Sequence, residues 1–547
     1  MTHKVIGNLV DIINRKIYHA AILVEENRIT AIQPLSGESD RFILPGFVDA
    51  HIHIESSMLV PSAFARLAVV HGTVGTVSDP HEIANVLGVE GVQYMIDNAE
   101  KVPLKINFGA PSCVPATDFE TAGATIDATA IDQLLAQPNV KYLAEMMNYP
   151  GVLNEDPVVM AKLAAAKKHR KPIDGHAPGL REEAAKQYIE HGISTDHECF
   201  TYEEALEKLQ NGMKILIREG SAAKNYAALH ALIDEFPDKI MLCSDDKHPD
   251  DLLEGHIDKL VARAVKDGHD LFNVLRAACI NPVVHYGLDI GQLKVGDVAD
   301  FVVVNNMKDF EVVETYIDGQ CVARGGVALF PKISPTIVNK FSTSAKRPQD
   351  FVKKAATHQG EIPVIEAIDK EIVTNRILLP PRVESGYLVS DIKNDILKIA
   401  VVNRYQNELP AVAFIKGFGL KDGAMASCVG HDSHNIIAVG TNDEQISQAV
   451  NLIIEHKGGI AVVQGKTEKV LPLPIAGIMS DKDGKVVAQQ YADLDRFAKK
   501  TLESSLTAPF MTLSFMALLV IPRLKLSDKG LFDGEKFEFI YILKCNA

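Results

Sequence analysis

The pair His51 and His53 is the first feature of this sequence that could do chemistry. It lies in ILPGFVDAHIHIESS, after an apolar run that predicts a β-strand. Side chains at positions i and i+2 of a strand point the same way, so both imidazoles can reach one metal ion. Two packed or exposed histidines at a strand end would give the same local pattern, so the pair alone does not decide between these interpretations.

Further nitrogen and oxygen donors recur at the ends of later predicted strands. They are Glu145 after VKYLA, His176 after KPIDG, His197 after GISTD and Asp245 after IMLCS. A charged or imidazole side chain is costly next to an apolar run unless something compensates for its burial. Their chemical types are those that bind transition metals in proteins. Together with the first pair, they predict a metal site.

The number of donors indicates two metal ions. Four histidines and two carboxylates exceed the three protein ligands of a lone catalytic zinc. Two ions about 3.5–4 Å apart, sharing a carboxylate and a hydroxide, would use all six. Glu145 is the natural bridge because a carboxylate has two oxygens. Asp245 could bind one ion while its free oxygen handles protons.

The elements that must position these donors alternate along the chain. Between about residues 43 and 287, short apolar β-runs such as GTVGTV and LKINFGA alternate with helical stretches such as ANVLGVEGVQYMIDNAEK, which predicts one helix. Seven or eight such alternations favour an α/β fold with a TIM-like (β/α)8 barrel over residues 46–285. Active sites of such barrels lie at the C-terminal ends of the strands, where the donors are found.

The segments on either side of the barrel have other patterns. Residues 4–33 predict a small β-meander, and LKVGDVADFVVV returns to strands, so 1–45 and 286–335 are predicted to form one composite β-domain. Residues 336–547 predict a C-terminal α/β domain. Its most apolar stretch, residues 510–522, is too short to span a bilayer and predicts a buried element.

Composition excludes several classes of protein. The chain is 47% hydrophobic and 23% charged, as globular proteins are, and its net charge of −15 opposes binding to nucleic acid or to an anionic membrane. Seven scattered cysteines without a CxxC pair argue against a disulfide framework. The N-terminus shows no signal-peptide pattern, so a cytoplasmic location is expected.

Several long motifs resemble the adenine deaminase branch of the amidohydrolase superfamily. They are PGFVDAHIHIESSML, SDPHEIANVLG, LAEMMNYPGVL, DGHAPGL, STDHECF, CSDDKHPDD, NPVVHYGL, VGHDSHNIIAVGT, LPLPIAGIMS and APFMTLSFMALLVIP. The likeness extends over nearly the whole chain. It implies a TIM-like amidohydrolase barrel with a binuclear iron or manganese site, zinc being possible after purification, and it also implies a homo-oligomer, most simply a dimer.

The resemblance also implies a role for each donor. His51 and His53 would hold the first ion, His176 and His197 the second, with Glu145 bridging and Asp245 completing the site. Many relatives use a carboxylated lysine as the bridge, whereas here the fourth strand supplies Glu145, as in this branch.

The expected reaction is hydrolysis of adenine by a metal-activated hydroxide, which releases ammonia and leaves hypoxanthine. The catalytic set is Asp245, Glu82 and His197, with Asp245 moving the proton of the hydroxide to the departing amino group. Glu82 or Asp246 would protonate the purine ring. Glu82 and His81 could equally cap the helix that follows them, and Asp246 could act from outside the site.

The sequence does not decide the role of the GHDSHN segment, residues 430–435. His431, Asp432 and His434, like Asp246, could bind the substrate, or the segment could hold an auxiliary metal. A hydrogen-bonded turn before the strand NIIAVGT is the plainer interpretation.

Other functions remain as alternatives. A dihydroorotase-, hydantoinase- or deacetylase-like hydrolase would use the same metals on a cyclic or substituted amide, although the C-terminal domain argues against it. A cytidine-deaminase type of enzyme needs P-C-x-x-C, which this sequence lacks. A non-catalytic amidohydrolase-like scaffold would have lost ligands, whereas this ligand set is complete.

Overall fold

The computed structural model describes residues 2–355 and 360–542, and its chain begins with an antiparallel meander. The first strands are β1 (Thr2–Asp11), β2 (Lys16–Glu25), β3 (Arg28–Pro34) and β4 (Phe42–Pro45). Alternate residues of β2, such as Ala20, Ile22 and Val24, are buried, which is the period-two pattern of a strand with one covered face. β4 returns parallel to β1, with Asn8 opposite Phe42.

Eight parallel strands then form the barrel, each hydrogen-bonded to the next in chain order. They are β5 (Phe47–Ile52), β6 (Thr73–Ser78), β7 (Lys105–Ala110), β8 (Val140–Met146), β9 (Ile173–Gly175), β10 (Thr195–Asp196), β11 (Lys214–Arg218) and β12 (Ile240–Cys243). A parallel bridge between Ile52 and Asp245 brings the last strand back to the first, and the Asp245 N–H donates to the His51 carbonyl at 2.9 Å. The predicted TIM-like barrel is confirmed.

Helices surround these strands. They are α1 (Pro61–Ala68), α2 (His81–Leu87), α3 (Val89–Ala99), α4 (Ala128–Leu135), α5 (Tyr149–Leu153), α6 (Pro157–His169), α7 (Glu182–Glu190), α8 (Tyr202–Gln210), α9 (Tyr226–Leu229), α10 (Leu232–Glu235), α11 (Pro249–Glu254), α12 (Ile257–Lys266), α13 (Leu271–Leu275) and α14 (Asn281–Tyr286). The helix predicted over ANVLGVEGVQYMIDNAEK is two helices. Gly88 separates α2 from α3 with φ +65°, a conformation that glycine adopts readily.

The strands after the barrel complete the first sheet. They are β13 (Phe301–Val304), β14 (Val312–Ile317), β15 (Gln320–Arg324) and β16 (Val327–Ala328). The sheet order is β16-β15-β14-β13-β4-β1-β2-β3, so the two flanks meet between β13 and β4, where Val302 pairs with Leu44. The expected β-domain built from both flanks is present, and it shares a hydrophobic core with the barrel through Leu44, Phe47 and Val302.

The C-terminal region contains a second large sheet. Its strands and helices are β17 (Lys353–Lys354), β18 (Ile362–Ala367), β19 (Thr374–Leu379), β20 (Arg382–Glu384), β21 (Tyr387–Val389), β22 (Ile396–Val402), β23 (Ala411–Lys416), β24 (Ala424–Ser427), β25 (Ile436–Gly440), α15 (Asp443–His456), β26 (Gly459–Gln464), β27 (Thr467–Pro472), α16 (Gly484–Lys500), α17 (Pro509–Phe515), β28 (Leu524–Ser527), β29 (Gly530–Asp533) and β30 (Glu538–Phe539). The main sheet has the order β19-β18-β23-β22-β25-β24-β26-β27. Ile446, Val450 and Ile453 of α15 pack on one face of it, as an α/β domain requires.

The C-terminal domain packs directly against the barrel. The Ser480 N–H donates to the Met58 carbonyl at 2.8 Å, and the Asn435 side-chain amide donates to the Thr121 carbonyl at 2.9 Å. The loop 428–435, which joins the neighbouring strands β24 and β25, therefore reaches the barrel mouth. Among residues 2–355 and 360–542, none of the helices combines the length and apolar character needed to cross a bilayer.

Candidate metal centre

The six predicted donors all lie at the C-terminal ends of barrel strands. His51 is in β5 and His53 directly follows it, Glu145 is the penultimate residue of β8, and the other three come directly or two residues after their strands. All are buried except His176, which is partly exposed. Parallel strands of a barrel end at one rim, and the structure accordingly brings these side chains together.

Glu145 lies at the centre of this group. Its Oε1 is 3.3 Å from His53 Nε2, while its Oε2 is 2.8 Å from His176 Nδ1 and 3.2 Å from His197 Nε2. His51 Nε2 lies 3.1 Å from His53 Nε2. The two carboxylate oxygens therefore face two different sets of imidazoles, as a bridging ligand would.

The donors shift one another's pKa values. Against the effect of burial, Glu145 raises the pKa of His197 to about 9, so an ion bound here would displace a proton. Burial, aided by the neighbouring His197 and His53, holds the pKa of His51 well below its usual range. Although burial opposes ionisation of Glu145, His176 and His197 hold its pKa well below the ordinary value. The His53 Nδ1 contacts the Asp79 carbonyl at 3.2 Å, so with the proton on Nδ1 its Nε2 lone pair faces the cluster. Such a set of lone pairs fits a divalent cation.

Arg218 and Glu198 support Asp245. Asp245 Oδ1 lies 3.3 Å from His53 Nε2, whereas its Oδ2 accepts from Arg218 Nη1 at 2.5 Å. The same guanidinium donates to Glu198 Oε2 at 2.9 Å. Burial opposes ionisation, but Arg218 holds the pKa of Asp245 well below its usual range. The second oxygen of Asp245, which the sequence analysis left free for protons, is therefore engaged by a cation.

The GHDSHN segment forms a turn and also reaches the barrel. The His434 N–H donates to the Gly430 carbonyl at 2.8 Å, which closes the turn. The His434 Nε2 lies 2.5 Å from Glu82 Oε2, and the His431 imidazole contacts the other Glu82 oxygen. The turn expected from the sequence is present, and it directs the two imidazoles at Glu82.

Asp246 lies on the other side of His431. Its Oδ2 is 3.9 Å from His431 Nε2, and its Oδ1 accepts from the Ser56 hydroxyl at 2.5 Å. Burial, together with the charge of Asp245, raises the pKa of Asp246. Asp246 therefore keeps a proton more readily than a free aspartic acid does, and so does Asp432, another carboxyl of the cavity, since burial raises its pKa to about 6.

A cavity opens over the cluster. Its floor is polar and consists of the donors described above. Its opposite side is an apolar wall contributed by the C-terminal domain: Ile372, Phe515, Leu518 and Ile521. The His431 ring stacks on Phe515 with centroids 5.1 Å apart and planes 17° apart. The cavity therefore has one charged side and one flat, apolar side.

His81, Glu198 and Arg218 belong to the site although the sequence analysis gave them no role in it. His81 Nδ1 lies 3.3 Å from Glu145 Oε1, and the Asp79 carboxylate accepts from it at 3.0 Å. A search of every strand end would have found these three residues. Arg218 ends β11, Glu198 lies two residues after β10, and His81 lies three residues after β6. His81 was considered as a helix cap, but other side chains cap α2: Asp79 accepts from the His81 N–H at 3.1 Å and Glu55 from the Ile83 N–H at 3.2 Å.

His256, expected to be structural, is buried and lies 2.8 Å from Asp49 Oδ2 and 2.7 Å from the Thr73 hydroxyl. His285 lies away from the cluster, where its Nδ1 accepts from Lys214 at 2.9 Å.

Two family models match the chain. One, described as the amidohydrolase family, matches residues 42–322, and the other, described as the adenine deaminase C-terminal domain, matches residues 371–538. The first match covers the barrel and part of the composite sheet. The second covers most of the C-terminal domain, including the segment 428–435 and the apolar wall.

Individual relatives match over nearly their full length. The adenine deaminase of a Sulfurovum species is 58% identical over 98% of both chains, and that of Methanosarcina mazei is 53% identical over 98% of this chain and 99% of the relative. The adenine deaminase of Borreliella burgdorferi is 48% identical over the same shares. Among solved structures, a β-aspartyl dipeptidase from Fervidobacterium islandicum has 15% identity and a TM-score of 0.46, covering 60% of this chain and 99% of that chain.

Proposed function

The chain belongs to the adenine deaminase family of the amidohydrolases, and we propose that its strand-end cluster hydrolyses adenine to hypoxanthine and ammonia with two divalent metal ions. The observation that carries the proposal is the position of Glu145, whose two oxygens face separate groups of imidazoles. His51, His53 and Asp245 would hold one ion, and His176 and His197 the other. When bound, such ions lower the pKa of water and supply a nucleophile near neutral pH.

Manganese or iron is the metal that the family resemblance implies, with zinc as the third possibility. Imidazole and carboxylate ligands are compatible with all three ions. The family membership implies use of a divalent metal, and the grouped ligand atoms agree with that use. A homodimer stays a prediction from the resemblance, and a cytoplasmic location stays a prediction from the sequence pattern.

Asp245 is the base and the proton carrier in this proposal. It accepts a proton from the attacking water as the oxygen bonds to C6 of adenine, and it delivers that proton to the amino group as the C–N bond breaks. Arg218 supports this role because it keeps Asp245 ionised and fixes its second oxygen. Oδ1, which faces His51 and His53, would then both bind the ion and exchange the proton through its other lone pair.

Asp246 is the better of the two candidate acids for the purine ring nitrogen. Ser56 holds one oxygen of Asp246, while the other faces the cavity near His431. Glu82 has an imidazole against each oxygen, which leaves it poorly placed to give a proton to the substrate. Protonation of the ring nitrogen makes C6 accept the nucleophile, and the second proton of the attacking water restores Asp246.

The apolar wall would hold the flat face of the purine. Phe515, Leu518 and Ile521 present an apolar surface opposite the charged floor, so a planar heteroaromatic ring fits between them with its amino group toward the cluster. His431 and Asp432 border the same cavity and are polar groups from the C-terminal domain that could meet the edge of the ring, whereas His434 lies behind them against Glu82.

The test is ammonia release from adenine by metal-free enzyme reloaded with Mn(II) or Fe(II), beside Asp245→Asn. Release of hypoxanthine and ammonia in equal amounts, dependent on metal and lost in the variant, supports the assignment of reaction and site. A folded enzyme that binds two ions per chain and releases no ammonia from adenine contradicts the assignment of the cluster. Asp174→Asn is the matched control, because Asp174 is buried within the barrel and bonds to Tyr286 and Thr195 instead of the donors.

A further inference from the structure

A second group of metal-binding side chains lies where the C-terminal domain meets the barrel. His81 and Glu82 begin α2, and Asp432 comes from the loop 428–435. His81 Nε2 is 3.5 Å from Glu82 Oε1 and 3.9 Å from Asp432 Oδ1. All three residues are at most 4% exposed. We call these three residues the interdomain cluster.

The hydrogen bond to Asp79 orients His81 so that its Nε2 faces Glu82 and Asp432. His81 Nδ1 contacts Asp79 Oδ2 at 3.0 Å, and because a carboxylate accepts, a proton lies on Nδ1. A cation bound between the three residues would therefore meet Nε2, the other nitrogen of the ring. A carboxylate that orients a histidine through its other nitrogen is the usual arrangement behind a metal-bound imidazole.

The carboxylates of the interdomain cluster have oxygens that the surrounding hydrogen bonds do not satisfy. The imidazoles of His431 and His434 lie against the two oxygens of Glu82 in contacts of poor alignment, and the buried Asp432 Oδ2 has no partner. Two carboxylates this close together in a medium of low dielectric constant repel each other, and a cation bound between them would relieve that repulsion.

We propose that the interdomain cluster binds a third divalent cation, separate from the pair at Glu145. Distances of 3.5 and 3.9 Å exceed those of hydrogen bonds, yet two ligands that are each about 2.1 Å from one ion lie at most about 4.2 Å apart. One imidazole and two carboxylates suit manganese, iron or zinc. The ligand atoms of all three residues lie within 4.8 Å of one another, so one ion can reach them all.

This ion would fasten the two domains together. His81 and Glu82 are fixed to the barrel by α2, whereas Asp432 belongs to the loop that also carries His431. An ion between them would hold this loop, and with it one border of the cavity, against the strand ends. The proposal does not depend on the reaction assigned above, since it rests on a different set of ligand atoms.

Metal content of the full-length enzyme tests the proposal. The protein is saturated with Mn(II), freed of excess metal by gel filtration and measured by plasma mass spectrometry. We expect three ions per chain in the unaltered enzyme and two in Asp432→Asn. Asp528→Asn is the control, because Asp528 is a buried carboxylate at the same interface whose oxygens accept from Thr121 N and Asn403 Nδ2, each at 2.9 Å. It should retain three.

A crystal of the Mn(II)-loaded enzyme gives a measurement that needs no variant. An anomalous scattering peak about 2.1–2.3 Å from His81 Nε2, in addition to two peaks around Glu145, supports the third site. Two peaks around Glu145 and none at His81 overturn it and leave the proposed function standing, since His81 would then be a protonated imidazolium between carboxylates. Absence of metal from both places, with loss of activity, would contradict both proposals.

Discussion

The two sides of the cavity are built in different ways. The barrel side takes each donor from the end of a regular strand, so that strand order places His51, Glu145 and Asp245 on one rim. The C-terminal side takes Phe515, Leu518 and Ile521 from a short helix and the turns after it, and His431 from a loop. Position on the barrel side follows from local structure, whereas position on the other side follows from how two domains pack. We therefore expect the barrel side to control the chemical step and the C-terminal side to control binding.

Loss of Glu145, the proposed bridging ligand, should reduce the rate of deamination more than any other change considered. Glu145→Ala removes both oxygens that face the imidazoles, so both ions should bind weakly. Deamination should fall by more than about 10³-fold, beyond the cost of losing one electrostatic contact in an active site. Measurement of kcat/KM for adenine together with metal content checks this. Full metal occupancy and near-normal activity in Glu145→Ala would contradict the division of roles.

Arg218 tests the barrel side of the cavity, because its guanidinium bonds to Asp245 at the strand ends. Arg218→Lys keeps the positive charge but loses the paired contacts to Asp245 and Glu198. A fall in kcat of about 10- to 100-fold, the usual cost of losing a residue behind a metal ligand, is expected with little change in KM. A rise in KM without a fall in kcat would show that Arg218 acts on binding instead.

The same difference explains what could be predicted from the sequence. The barrel, the composite sheet and the C-terminal α/β domain follow from patterns of two and 3.6 residues, and the donors follow from strand ends. Gly88 was missed as a break because a single glycine is tolerated within many helices. The bond from Arg218 to Asp245 and the contacts of His431 and His434 with Glu82 join residues far apart in sequence, and no local pattern encodes such distances.

The apolar wall should affect binding more than the chemical step. Phe515→Ala removes a ring that faces the cavity and stacks on His431, at a cost of about 1.5 kcal/mol of substrate binding, which corresponds to about tenfold in KM. The value of kcat should change by less than about threefold, since Phe515 contacts none of the strand-end donors. Phe515→Leu is the conservative control and should lie between the two enzymes. Equal falls of kcat in both variants, with KM unchanged, would contradict the assignment of substrate binding to the C-terminal side of the cavity.

Lys525 should affect the stability of the wall and have the smallest effect on the reaction itself. Its buried ammonium group donates to the carbonyls of Ile372 at 2.7 Å and Phe515 at 3.0 Å, which fixes two residues of the wall. Burial lowers the pKa of Lys525 to about 7 from 10.5. The folded state therefore binds fewer protons than the unfolded state between these values, so this residue makes the protein more stable as the pH rises from about 7 toward 10.

The slope due to Lys525 can be isolated with Lys525→Met, which has similar length and no charge. Below pH 7 both states of the unaltered protein are protonated and the cost of burying the charge is fully present. Above pH 7 that cost is relieved by up to about 1.4 kcal/mol per pH unit. The free energy of unfolding, measured in urea at pH 7, 8 and 9, should thus rise more steeply in the unaltered protein than in the variant. The two lost hydrogen bonds shift the variant by a constant amount and leave its slope unaffected. Parallel curves would mean that the two carbonyls compensate for the burial and that Lys525 stays charged throughout.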